Sequence, residues 1–222
     1  HLTGTKIGCR EGDCGACSVL IGEIKNDQLQ YRSATSCLTA LGNIVGKHVV
    51  TIEGINVPST LNPIQQAMCD ASATQCGFCT PGFVMSLTGF CLSDKQPSYE
   101  NAIKAIDGNI CRCTGYKSIE RATEKIAALM QQKKETSTLD FITAQHILPE
   151  YFLNIKERLY STNTKNGRPV QSLQNIEKKF LGGGTDLYVQ QHDTMHEAAI
   201  DFLFNKPELK GITQQGNKCI IG

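Results

Sequence analysis

Gly8-Cys9-Arg10-Glu11-Gly12-Asp13-Cys14-Gly15-Ala16-Cys17 decides how the chain is read. Three cysteines sit on one short loop, and glycines alternate with them. Thiolates gathered this closely form a metal site. The glycines can take positive φ and bring backbone N–H groups up to sulfur. Cys37 follows after nineteen residues and completes a set of four.

Working outward, a second set appears at Cys76, Cys79, Cys111 and Cys113. The first spacing, Cys-x4-Cys-x2-Cys with a distant fourth, is the run that holds a [2Fe–2S] cluster in plant-type ferredoxins. The competing reading is two structural zinc sites in a non-enzymatic scaffold. Zinc ribbons pair two Cys-x2-Cys knuckles, which the first set does not supply. Iron–sulfur is therefore the expectation for both sets.

The chain has 222 residues, a net charge of +1 and eleven cysteines. That length allows one to three domains. No basic run points to nucleic acid, and no apolar stretch approaches a membrane span. With no charged-then-apolar leader either, the chain reads as cytoplasmic, where many cysteines mean metal rather than disulfides. His1 in place of Met, and the apolar run Cys219-Ile220-Ile221-Gly222 at the other end, suggest a fragment of a longer protein.

Between the thiols the periodicity changes. Residues 16–22 read as a strand, 24–34 as part of a hairpin turning at Lys25-Asn26-Asp27-Gln28, and 47–53 as a further strand. Asn62-Pro63, with Gln65 three residues after Asn62, predicts a capped helix burying Ile64, Ala67, Met68 and Ala71. Further helices are predicted from Thr80, after Ser98, and from Gly115 to Met130. Two of them start beside thiols, where free N–H groups favour a negatively charged cluster. Residues 131–137 read as a linker and 140–159 as partly helical. Lys179-Phe180-Leu181 then leads through Gly182-Gly183-Gly184 to Thr185-Asp186-Leu187, a strand, a glycine turn and a helix start of the kind that can meet a diphosphate. Strands are predicted over 198–204 and 218–221. Cys69, Cys91 and Cys219 read as buried structural thiols, and His48, His146, His192 and His196 as surface residues. Lys6, Arg10 and Arg112 could tune a cluster through charge, or be ordinary solvated residues.

The cysteine loop, Gln75-Cys76-Gly77-Phe78-Cys79-Thr80-Pro81-Gly82 and Cys111-Arg112-Cys113-Thr114-Gly115-Tyr116 closely resemble the iron–sulfur part of the xanthine dehydrogenase/xanthine oxidase family of molybdenum hydroxylases. Leu181 to Leu187 resembles the first flavin-contacting loop of that family. The resemblance implies an α+β multidomain chain. Residues 1–55 would be a ferredoxin-like β-grasp lacking its first hairpin, and 56–131 a four-helix [2Fe–2S]-binding bundle. Residues 132–164 would be a linker, and 165–222 the start of an α/β FAD-binding domain. It also implies a relay. Electrons from a molybdopterin centre on a partner large subunit would pass through two [2Fe–2S] clusters to FAD and then NAD, in a hetero-oligomer. Cys9, Cys14, Cys17 and Cys37 would hold one cluster, and Cys76, Cys79, Cys111 and Cys113 the other. Lys179 to Leu187 would meet FAD, and substrate oxidation would occur on the partner. Within the family, the first expectation is a xanthine dehydrogenase; the alternative is an aldehyde or other N-heterocycle dehydrogenase.

Overall fold

The computed structural model describes residues 2–134, 137–163, 178–195 and 197–221. They fall into two compact units: His1–Cys37 with Gly46–Gly167, and Leu38–Val45 with Arg168–Gly222.

The first unit is built on a hairpin. β1 (Ser18–Lys25) and β2 (Gln28–Thr35) pair antiparallel, with Ser18 opposite Thr35 and Lys25 opposite Gln28. Asn26 and Asp27, at φ 49° and 61°, form the two-residue turn that matches strand twist. β3 (His48–Val50) joins the other edge of β1, giving the order β2-β1-β3. The strand predicted over 47–53 thus ends at Val50. The chain coils into a 3-10 turn at Ile52–Ile55, where the Glu53 carboxylate accepts hydrogen bonds from Thr51 Oγ1 and from the N–H groups of Thr3 and Gly4.

The helical part begins as predicted. In α1 (Pro63–Asp70), Asn62 Oδ1 accepts from the Gln65 N–H while Gln65 Oε1 accepts from the Asn62 N–H, satisfying two helix-end donors reciprocally. α2 (Thr80–Leu92) buries Phe83, Val84, Met85, Leu87, Phe90 and Cys91, so it is apolar on nearly every side. Such a helix belongs at the centre of a unit. It packs on β1 and on α3 (Tyr99–Ile106), whose first turn is capped by Ser98. α4 (Lys117–Met130) packs on α1 and α3 and buries Ile119, Ala122, Ile126 and Met130. It starts at Lys117 rather than Gly115, because Gly115 and Tyr116 are both left-handed, at φ 65° and 69°.

The segment expected to be a linker, 132–164, carries α5 (Thr138–Ala144), a 3-10 turn at Glu150–Asn154 and α6 (Ile155–Asn163). Its Ile142, Ile147, Leu148 and Phe152 are buried in the same core as Leu20 and Phe83. The apolar residues here are spread among polar ones with little periodicity, yet these four find places in that core. His48, expected at the surface, is half-buried; its Nδ1 shares a hydrogen bond with the Tyr31 hydroxyl at 2.8 Å.

In the second unit, β4 (Lys179–Leu181) and β5 (Ile200–Phe202) pair in parallel, joined through α7 (Thr185–Gln190). β6 (Ile212–Gln215) and β7 (Lys218–Ile221) form a separate exposed hairpin. Leu181, Met195 and Ala40 share a small core, and Phe202 lies where a side chain on Gly42 would stand. The short segment after Cys37, grouped by sequence with the first 55 residues, is therefore built into this unit. Residues 164–177 and His196 lie outside the described residues. Among the described residues no helix is long and apolar enough to cross a membrane.

Candidate metal centres

The hairpin explains the first spacing. Nineteen residues separate Cys17 from Cys37: two eight-residue strands, the Asn26-Asp27 turn and Ser36. The register returns the chain to its start, and Ser36 donates twice to the Cys17 carbonyl, from N–H at 3.2 Å and from Oγ at 2.8 Å. Cys37 is thereby set beside Cys17. Burial and the Cys17 thiol push the Cys37 thiol up to about 12, against an N–H from Gly12.

Cys9 behaves in the opposite way. Burial would raise its thiol, but N–H groups from Glu11, Cys14 and Asp13 and the Cys14 thiol outweigh it and lower it to about 7. The Glu11 N–H reaches Cys9 Sγ at 3.4 Å. The loop can aim these donors because Arg10, Gly12 and Gly15 all have positive φ.

The second set lies within the helical part. Burial and then Cys111 push the Cys79 thiol up to about 12, while the neighbouring Cys76 thiol raises Cys113. Cys111 is lowered, burial being outweighed by hydrogen bonds from Thr114, whose Oγ1 donates to Cys111 Sγ at 3.0 Å. α2 starts directly after Cys79, as predicted, but the start of α4 stands off from Cys113. Tyr116 does not replace that helix end: its hydroxyl accepts from the Cys111 N–H at 3.0 Å and holds the backbone of the thiol segment.

The thiols act on one another most strongly as Cys9–Cys14, Cys17–Cys37, Cys76–Cys113 and Cys79–Cys111, and more weakly across these pairs, Cys9 on Cys37, Cys76 on Cys79 and Cys111 on Cys113. Among the described residues no three metal-binding side chains converge to hold a single ion. A zinc site needs four ligands around one point, each about 2.3 Å from it if sulfur. A [2Fe–2S] cluster needs two thiolates on each of two irons, and the paired donor set fits that demand. All eleven cysteines are free thiols. Cys91 is the buried structural thiol predicted, pushed up to about 12 by burial, whereas Cys69 and Cys219 are exposed.

The two sets are joined. The Ile110 N–H donates to the Cys14 carbonyl at 2.9 Å. A cavity of about 280 Å³ touches Cys14 and all four thiols of the second set, walled by Phe78, Ile110 and Arg112.

In the second unit, Lys179, Phe180 and Leu181 form β4, Gly182, Gly183 and Gly184 the turn, and Thr185, Asp186 and Leu187 the start of α7. Gly182 and Gly183 are exposed, with no atom within 4 Å of where a side chain would begin. A flat group could approach the backbone there. The Leu181 side chain is fully buried, so only its backbone could meet a ligand. Sequence reading missed Asn43: its Nδ2 donates to the carbonyls of Gly182 at 2.9 Å and Gly183 at 3.3 Å. Nothing local marks an Asn in an apolar stretch as the anchor of a loop 139 residues away.

Residues 51–124, which hold the second thiol set, match a family described as a [2Fe–2S] binding domain. Over 129 residues the chain is 44% identical to a xanthine dehydrogenase of Emericella nidulans, covering 57% of this chain and 10% of that one. Over 122 residues it is 46% identical to aldehyde oxidase 1 of Cavia porcellus, covering 54% of this chain and 9% of that one. Among solved structures, quinoline 2-oxidoreductase from Pseudomonas putida 86 matches 58% of this chain and 76% of its own, at 34% identity and a TM-score of 0.50. The chain thus spans about a tenth of the length of the curated relatives it matches.

Proposed function

This chain belongs to the xanthine dehydrogenase and aldehyde oxidase family of molybdenum hydroxylases, and on that premise we propose that it is the electron-transfer part of a xanthine dehydrogenase. In this reading residues 1–55 and 56–131 each provide one thiol set, and the flavin part begins near residue 165. Cys9, Cys14, Cys17 and Cys37 hold one [2Fe–2S] cluster, and Cys76, Cys79, Cys111 and Cys113 the other. When bound, the clusters supply one-electron redox chemistry. The chain carries electrons from a molybdopterin centre on a partner subunit towards FAD at Gly182–Gly184, and from there to NAD.

The match of residues 51–124 to a [2Fe–2S] binding domain, beside a first set of four thiols at ferredoxin spacing, is the observation that carries the proposal. The residues around them do the protein's share of the work. N–H groups of Glu11, Gly12 and Asp13 and the Thr114 hydroxyl point at sulfur and favour its anionic form. The Ile110–Cys14 hydrogen bond gives a short bonded route from one set to the other. At the Gly-rich loop, the open approach and the Asn43 anchor support a flavin diphosphate as the ligand.

An aldehyde or other N-heterocycle dehydrogenase is the second reading, because identity to the aldehyde oxidase equals that to the xanthine dehydrogenase within two points. The substrate pocket would lie on the partner, so turnover of purine against aldehyde by the assembled complex separates the two. The test of the relay is iron and acid-labile sulfide analysis on anaerobically purified protein, with EPR after dithionite reduction. Two distinct reduced [2Fe–2S] signals, with about four irons per chain, are expected. Zinc without a reduced signal, even after iron–sulfur reconstitution, would overturn the reading.

A further inference from the structure

Asn109 is no thiol, yet its side chain bonds both to the loop of the first thiol set and to α2. It is only 5% exposed. Its Nδ2 donates to the Gly15 carbonyl at 3.0 Å, and its Oδ1 accepts from Ser86 Oγ at 2.7 Å. Gly15 lies between Cys14 and Cys17, Ser86 lies on α2, which starts after Cys79, and Asn109 itself stands two residues before Cys111. The Gly15 carbonyl is held further by Ser18, from N–H at 3.1 Å and Oγ at 2.7 Å.

The backbones here leave no room for adjustment. A Cβ on Gly15 would fall 2.3 Å from the Gly108 carbonyl oxygen and 2.4 Å from Asn109 Nδ2. One on Gly82 would fall 2.3 Å from the Gly15 carbonyl oxygen. Immediately next to this contact, the Ile110 N–H bridges to the Cys14 carbonyl.

We propose that Asn109 is a positioning residue that fixes the separation and orientation of the two thiol sets, and so sets the electronic coupling between the clusters they hold. The proposal rests on reading both sets as [2Fe–2S] ligands. Exchange of an electron between two centres weakens steeply as they separate or as a bonded link between them opens. The Ile110–Cys14 link stays closed only while the first loop is pressed onto the segment before Cys111. An amide is the side chain that can do this, because the site needs a donor towards Gly15 and an acceptor towards Ser86 at once. A carboxylate keeps the acceptor and turns the donor into a second acceptor facing the Gly15 carbonyl.

The test uses the full-length protein in its complex, as wild type, Asn109→Asp and Asn109→Ala. Both variants are expected to keep two [2Fe–2S] signals while losing the magnetic splitting that each reduced cluster imposes on the other. Electron exchange between the clusters after rapid partial reduction should slow in parallel. A variant with both clusters present and an undiminished splitting overturns the proposal. If a variant fails to load one cluster, hydrogen exchange in the metal-free chains decides. Loss of protection at the Ile110 amide, with α2 and α4 still protected, supports the clamp, and unchanged protection at Ile110 overturns it. A wild type that carries zinc and no reduced signal overturns the cluster reading instead, and the exchange measurement still judges the clamp separately.

Discussion

Ile110 and Cys14 are 96 positions apart in sequence, yet the N–H of one meets the carbonyl of the other at 2.9 Å. Ile110 precedes Cys111 of one thiol set, and Cys14 belongs to the other. A hairpin loop and a helical unit, each carrying one set of thiols, are therefore tied by a backbone hydrogen bond beside both sets. Each set keeps its own thiols, so each should be removable alone.

Replacing Cys113 by Ser should abolish one of the two reduced EPR signals and about half of the iron, two irons per cluster, and stop electrons reaching FAD. Cys9→Ser should abolish the other signal. Full NAD reduction by a Cys113→Ser complex would contradict the relay.

Gly15→Ala should be costly out of proportion to one methyl group. The residue has φ 66°, and the new Cβ would collide with the Gly108 carbonyl and with Asn109. A left-handed Ala costs about 1–2 kcal/mol, and overpacking adds about 1–3 kcal/mol. Denaturant midpoints of the two proteins would show a drop in stability of more than about 2 kcal/mol; an unchanged midpoint would mean the loops can part freely.

Glu53 should make stability fall in acid over a defined window. Its carboxyl is lowered to about 2, first by the Thr51 hydroxyl and, against burial, by the Gly4 and Thr3 N–H groups. Because the folded value lies below the ordinary 4.5, the stabilisation is complete above about pH 5. It is lost as pH falls from the ordinary value towards 2. Melting curves of wild type and Glu53→Gln should therefore differ near neutrality and converge by about pH 2–3. A constant gap down to that pH would rule out this latch on the N-terminal segment.

Asn43→Ala should loosen the Gly-rich loop without unfolding the second unit. Loss of the anchor on Gly182 and Gly183 is worth about 1 kcal/mol, or about fivefold faster amide exchange over residues 178–190. Exchange at the wild-type rate would show that the carbonyls need no anchor.

Much of this architecture was legible because its signals are local. Asn62, Pro63 and Gln65 fix a helix start within four residues, and Asn26-Asp27 fix a turn between two strands. The thiol spacings were equally direct, since the interval between Cys17 and Cys37 is one hairpin long. What escaped notice depends on distant partners. Asn43 and Asn109 look like ordinary polar residues until the chain brings Gly182 and Gly15 to them. Ile142, Ile147 and Phe152 sit in a mostly polar stretch whose order comes from the core it joins rather than from its own pattern. Tyr116 reads as part of a helix, and only its left-handed backbone shows that it serves Cys111 instead.

The segment Leu38–Val45 imposes a timetable on assembly. It belongs with residues that the ribosome delivers long after it, as the 139-residue interval between Asn43 and Gly182 shows. Contacts that close over short intervals form first, and those over long intervals form late. The hairpin can bring Cys37 to Cys17 as soon as it emerges, whereas Asn43 must wait for the Gly182 and Gly183 carbonyls it holds. The four thiols of the first set can thus be gathered before the Gly-rich loop has been synthesised. A nascent chain stalled between the two stages would hold its first thiol set assembled with the partners of Asn43 still unmade.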